Sequence, residues 1–113
     1  MATLRTNRDS QGHLELILTE DEISYEAFPK WCRGFLDRYG GKTLEKIDGP
    51  DCRVQRVQLL GQELKLIFED FPVQTCLLAE SSEAEVVLNT IAELERRSYQ
   101  SAGGNAATPR ASA

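Results

Sequence analysis

Apolar and polar positions alternate over residues 13–20, HLELILTE. Leu14, Leu16 and Leu18 share one side, and Glu15, Ile17 and Thr19 the other. A period of two predicts a β-strand. The period then lengthens. Phe28, Trp31, Cys32, Phe35, Leu36 and Tyr39 recur at helical spacing, which predicts an amphipathic helix. Pro29 suits its first turn, where a missing N–H costs nothing, and Gly40-Gly41 ends it. Four further strands are expected at 42–47, 52–60, 63–70 and 74–80. In 52–60 the apolar phase shifts between Val54 and Val57, so a bulge or a strong twist is expected there. Gly61-Gln62 fits a Gly-X hairpin turn. Pro72 lies between two strands, where no ladder donor is lost. Residues 81–100 read as a second helix. Ser82 and Glu85 form a capping-box pattern, and Ala84, Val87, Leu88, Ile91 and Leu94 form its buried stripe.

The element order is thus β-α-β-β-β-β-α. Hairpin-length connections make the last four strands an antiparallel meander. Each helix has one apolar stripe, so both are expected on one face of the sheet. The expected fold is α+β: a two-layer sandwich with a mostly antiparallel five-stranded sheet and two helices on one face. Residues 1–11 are polar and patternless and read as a flexible lead-in. Residues 12–100 form a single domain. Residues 101–113 are small and polar and read as a disordered tail.

Charge narrows the function classes. The chain has 18 acidic and 13 basic residues, a net charge of −5. Nucleic-acid binding and anionic-membrane binding both draw on a basic surface, so neither is expected. No apolar run has the length of a membrane span, and the N-terminus has no secretory pattern. The three cysteines, Cys32, Cys52 and Cys76, are too few and too widely spaced for a disulfide framework or a zinc site. They read as small hydrophobes in a reducing, cytoplasmic setting. No cofactor or metal is expected.

Candidate chemistry is sparse. In EKIDGPDC (45–52), three carboxylates and a thiol surround a Gly-Pro pair. The segment lacks the acidic spacing of a calcium loop, and Asp48-Gly49-Pro50-Asp51 is a run of turn formers. The single histidine, His13, opens the first strand, a poor place to hold a triad. A small enzyme or ligand-binding domain would keep its site between the helix layer and the sheet, or at the acidic turns of Asp48, Asp51 and Glu69-Asp70. No phosphate-binding glycine motif is present. No catalytic residue is assigned, and the balance leans away from an enzyme.

The outer face of the sheet is the strongest functional signal. An exposed antiparallel face is normally polar, yet Ile17, Ile47, Val57, Leu59, Ile67 and Leu77 are placed on it. Phe71, in the turn after the fourth strand, is a further candidate contact. Such a patch implies a protein partner, and a second copy is the simplest one.

From FPKWCRGFLDRYGG onward the chain resembles a family of short gammaproteobacterial proteins, a domain of unknown function. The features that carry this are Phe28-Pro29 with Trp31, Gly40-Gly41 followed by Glu45-Lys46, and the stretch from Leu64 to Asp70, within about residues 25–95. The resemblance implies a bacterial cytoplasmic protein and brings no activity. The expected function is a small acidic adaptor or regulatory domain that binds another protein or itself. A secretion-chaperone-like or immunity-like partner binder is one alternative. A small ligand-binding domain or enzyme at the acidic turns is another.

Overall fold

The structure is a computed structural model, and it describes residues 4–19, 23–70 and 73–107. It has β1 (Arg5–Arg8), β2 (Leu14–Thr19), α1 (Phe28–Arg38), β3 (Lys42–Asp48), β4 (Cys52–Leu59), β5 (Gln62–Asp70), β6 (Val73–Ala79) and α2 (Ser82–Ala107). The sheet has six strands in the order β1-β2-β6-β5-β4-β3, antiparallel throughout. Six replaces the expected five because β1 lies inside the stretch read as a lead-in. Its sequence, RTNR, has no apolar residue to show a period. It pairs with β2 through its backbone, and Arg8 ties it to Glu85 of α2 at 2.7 and 3.1 Å.

One core joins the helices to one side of the sheet. Phe28, Cys32, Phe35 and Leu36 of α1 and Ala84, Val87, Leu88, Ile91 and Ala92 of α2 meet the sheet residues Leu14, Leu16, Leu18, Val57, Leu59, Leu64, Leu66, Phe68, Leu77 and Ala79. Trp31 stacks between Phe28 and Phe35, with ring centroids 6.5 and 5.6 Å apart. The stripe of α1 is the one its periodicity predicts. That of α2 differs at its end: Leu94 is 40% exposed and Glu95 is buried in its place. The cap differs too. Ser81, not Ser82, accepts the Ala84 N–H at 3.0 Å, which frees Glu85 to bind Arg8. The helix continues past residue 100 to Ala107, into the stretch read as a disordered tail; residues 108–113 lie outside the described residues.

The strand irregularities also fall elsewhere than expected. β4 pairs with β5 without interruption from Cys52 to Leu59. The register shifts instead at Ile17/Thr19 in β2 and at Thr43/Glu45 in β3. The β4–β5 turn is Leu60-Gly61, both at positive φ (50° and 86°), as a two-residue type I′ hairpin requires. The 45–52 segment is a hairpin turn: Gly49 N–H donates to Cys52 O at 2.8 Å. Tyr25 reinforces it, its hydroxyl donating to Gly49 O at 3.0 Å. Among the described residues, no helix is long and apolar enough to cross a membrane.

Candidate functional site

The sequence-derived surface divides between the two sheet faces. Ile17, Ile47 and Ile67 lie on the face away from the helices, with Val54, Cys76 and Leu78 beside them in register. Val57, Leu59 and Leu77 lie on the helix side with no exposure, which corrects their placement. In β4 the alternation runs without a bulge, so Val54 points outward and Val57 and Leu59 inward. In β6 the run CLLA is apolar on both faces, and periodicity alone cannot fix its phase. Phe71 lies outside the described residues.

The open face is more polar than the sequence pattern implies. Arg56 lies between Glu45 and Glu63, Lys65 binds Glu80 at 3.1 Å, and Asn7 donates to Glu15 at 3.0 Å. Ile17, Cys76 and Leu78 are buried among these longer side chains, and Ile47 at the edge is the one large aliphatic here with near-half exposure, 47%.

At the acidic turns Asp48 and Glu69 make structural contacts, while Asp51 is exposed. Asp48 accepts Arg53 Nε and Nη2 at 2.8 and 2.9 Å, and that guanidinium holds its carboxyl below the usual range. Arg53 also lies over the Tyr25 ring at 4.5 Å. Glu69 accepts an amide hydrogen bond from Gln74 at 3.2 Å. His13 closes the β1–β2 hairpin, where Asp9 accepts the Gln11 and His13 backbone N–H groups, both at 2.9 Å. Among the described residues, no group of three or more His, Cys, Asp or Glu side chains is arranged to hold a metal ion.

A different site emerges where α1 meets the edge of the sheet. α1 ends in a Schellman cap: Gly41 N–H donates to Leu36 O at 2.9 Å and Gly40 N–H to Asp37 O at 3.5 Å, with Gly40 at φ 66°. The chain therefore enters β3 directly against the last turn of α1. A side chain at Gly41 would stand 2.7 Å from both Gln58 O and Leu59 Cδ2, so this close approach requires glycine. Two residues on, the β3 bulge acts. Thr43 pairs with Val57 and Lys46 with Gln55. Residues three apart on a regular strand face opposite ways; the extra residue, Leu44, brings Thr43 and Lys46 to the same, helix-side face.

The result is a cleft of about 250 Å³ with walls from α1 (Pro29, Arg33, Leu36, Asp37), β3 with its entry (Gly41, Lys42, Thr43, Lys46) and β4 (Gln55). Gln55 is 3% exposed. Its Oε1 accepts the Thr43 hydroxyl at 2.9 Å, and its amide nitrogen makes no hydrogen bond. Arg8, Arg38, Arg53, Arg56, Lys65 and Arg97 each bind a carboxylate; Arg33 and Lys46 at the cleft bind none, as do Lys30 and Arg96 elsewhere, and Lys42, in register with Gln58, points to the open face. Burial pushes the Cys32 thiol up to about 12, against the opposing fields of Arg53 and then Lys46. Arg33 and Lys46 against Asp37 leave the cleft with one net positive charge in a chain of net charge −5.

A wider depression of about 510 Å³ follows the outer side of α2 at Val86, Thr90 and Leu94. Its described lining comes from one helix and brings no charged groups from other elements together, so it is the weaker candidate. Sequence reading named the junction of helix layer and sheet as one place for a site but none of the residues of the cleft. The available signal was Gln55, a polar residue in phase with Val57 and Leu59 and so at a core-facing position.

The sequence matches, over residues 4–96, the family described as protein of unknown function (DUF3630), and the chain belongs to this family. No curated protein and no solved structure matches it.

Proposed function

We propose that this protein is a non-catalytic binding domain whose ligand is an anion held in the cleft between α1 and β3. The observation that carries this is the convergence of Arg33 and Lys46, both without ion pairs, on a cleft floored by the buried amide of Gln55. Unpaired cations beside a buried donor are the preorganised form of an anion site. Of the two places expected for a ligand site, this reading takes the junction of helix layer and sheet rather than the acidic turns. The unbridged thiols fit a reducing compartment.

The test is thermal unfolding of the full chain across a panel of anions at constant ionic strength. A ligand that binds the folded state raises Tm by mass action. The wild type is expected to gain Tm with multivalent anions, and the Arg33→Gln/Lys46→Gln variant to gain none. Equal shifts in the two proteins overturn the proposal.

Self-association through the open face is the second reading, supported by the exposure of Ile47 and its register beside Val54 and Ile67. Light scattering across a concentration range tests it. A dimer that Ile47→Glu converts to monomer supports it; a monomer at every concentration overturns it.

A further inference from the structure

We propose that the ligand of the cleft is a free acidic α-amino acid, glutamate or aspartate. This rests on the anion-binding reading above and deepens it. The arrangement of the charges selects the ligand, rather than their sum. Pro29, Arg33 and Asp37 stand on one i, i+4 row of α1, so a cation and a carboxylate lie side by side on the helix wall. Lys46 comes from the opposite wall, on the helix side of β3 in register with Gln55. Among the described residues none of these three charged groups makes an ion pair. Two cations and one carboxylate match, one to one, the two carboxylates and the ammonium of an acidic amino acid. A phosphate, a sulfate or a simple carboxylate brings no cation for Asp37 and sets its own negative charge against it.

Gln55 points to the same ligand independently. Its side chain is 3% exposed and its Oε1 is taken by the Thr43 hydroxyl. The amide N–H groups are free and can donate to a carboxylate at the floor. Pro29 and Leu36 add an apolar wall for the methylene groups. The cleft is small, about 250 Å³, which suits a free amino acid; within a peptide the α-ammonium and α-carboxylate are no longer charged.

NMR titration of the full chain at constant ionic strength tests this with L-glutamate, L-aspartate, glutarate and L-glutamine. Glutarate lacks the ammonium, and glutamine lacks the second carboxylate. Glutamate or aspartate is expected to bind about fivefold more tightly than either analogue, the size of one exposed charge contact. The Arg33→Gln/Lys46→Gln variant is expected to bind neither amino acid measurably. Asp37→Asn gives a crossed test: it removes the partner of the ammonium and the repulsion of a second carboxylate. Glutamate should then weaken and glutarate strengthen, reversing their order. Arg33, Asp37 and Lys46 are all exposed, so these variants should fold as the wild type does. Glutarate binding the wild type as tightly as glutamate, or Asp37→Asn weakening both alike, overturns the amino-acid assignment. Glutamine binding as tightly as glutamate overturns the acidic assignment. In either case a rise in Tm with multivalent anions that the double variant lacks leaves the anion site standing. No binding of any probe and no rise in Tm overturns both proposals.

Discussion

Two polar side chains are buried where α1 meets the rest of the molecule, and they are treated differently. Glu95, on α2, is 4% exposed. Its carboxylate accepts the Tyr39 hydroxyl and Arg38 Nη2 at 3.1 and 3.3 Å. Gln55, on β4, is 3% exposed and has one partner, Thr43. The first has the partners a buried carboxylate needs. The second keeps donors in reserve beside cations that have no counter-ion. Where α1 joins α2 the polar contacts close a seam; where α1 joins β3 they leave a site open. The same helix is thus clamped on one side and left receptive on the other.

The largest expected effect is on the seam. Glu95→Ala removes the acceptor shared by Tyr39 and Arg38. Arg38 is 54% exposed and recovers water, so the loss falls below the full penalty for a stranded buried charge. A destabilisation of about 2–3 kcal/mol is expected in urea unfolding, with anion binding retained, because the cleft lies on the other side of α1. A loss of binding together with stability would show that the seam and the cleft are one unit.

Gln55→Leu is the matched change on the cleft side. It replaces a half-satisfied buried amide with an apolar side chain of similar size, and the exposed Thr43 hydroxyl that loses its acceptor recovers water, so the cost is small. Stability should hold within about 1 kcal/mol while anion affinity falls. If this variant unfolds as readily as Glu95→Ala, Gln55 is a structural residue and the comparison fails.

How far the sequence foretold this arrangement depends on the length of each pattern. The α1 stripe spans three turns, and Phe28, Cys32, Phe35 and Leu36 are buried as their spacing predicts. Short or two-sided patterns misled. β1 has no apolar residue, and CLLA in β6 has apolar residues on both faces. The seam was hidden because a glutamate reads as surface until its partners are known, and Arg38 and Tyr39 belong to another helix. The cleft was hidden for two reasons. The β3 bulge leaves no mark in KTLEKID, and the apparent phase shift in β4 drew attention to Val54 and Val57 rather than to Gln55 between them.

The thiols extend the comparison to both sides of the sheet. Cys32 lies under the cleft and Cys76 on the open face, each 1% exposed, and burial pushes both up to about 12 from an ordinary 9. A folded pKa above the unfolded value means that the stabilisation is complete below about pH 9 and declines as pH rises toward 12. Tm should therefore fall on raising the pH from 8.5 to 10.5, beyond the decline of a Cys32→Ala/Cys76→Ala variant. With a thiol reagent at pH 8, half-buried Cys52 should react first and the other two only on unfolding. Fast reaction of Cys32 would show that α1 lifts from the sheet and that the cleft is mobile.

The smallest expected effect tests whether the hairpin beside the site is a neutral scaffold. Leu60 is 51% exposed and sits at φ 50°, a left-handed conformation that costs an ordinary side chain roughly 1–2 kcal/mol. Asparagine tolerates that region and is favoured at the first position of a type I′ turn. Leu60→Asn should thus stabilise the protein by about 1 kcal/mol, removing the strain with little loss of buried apolar area. Leu60 adjoins Leu59, which packs against the site of the Gly41 approach, so the variant tightens the sheet edge that carries the cleft. Anion affinity should stay unchanged if the cleft is already preorganised. A rise in affinity in step with stability would show that the edge formed by β3 and β4 opens in the free protein, and that part of the binding energy goes into closing it.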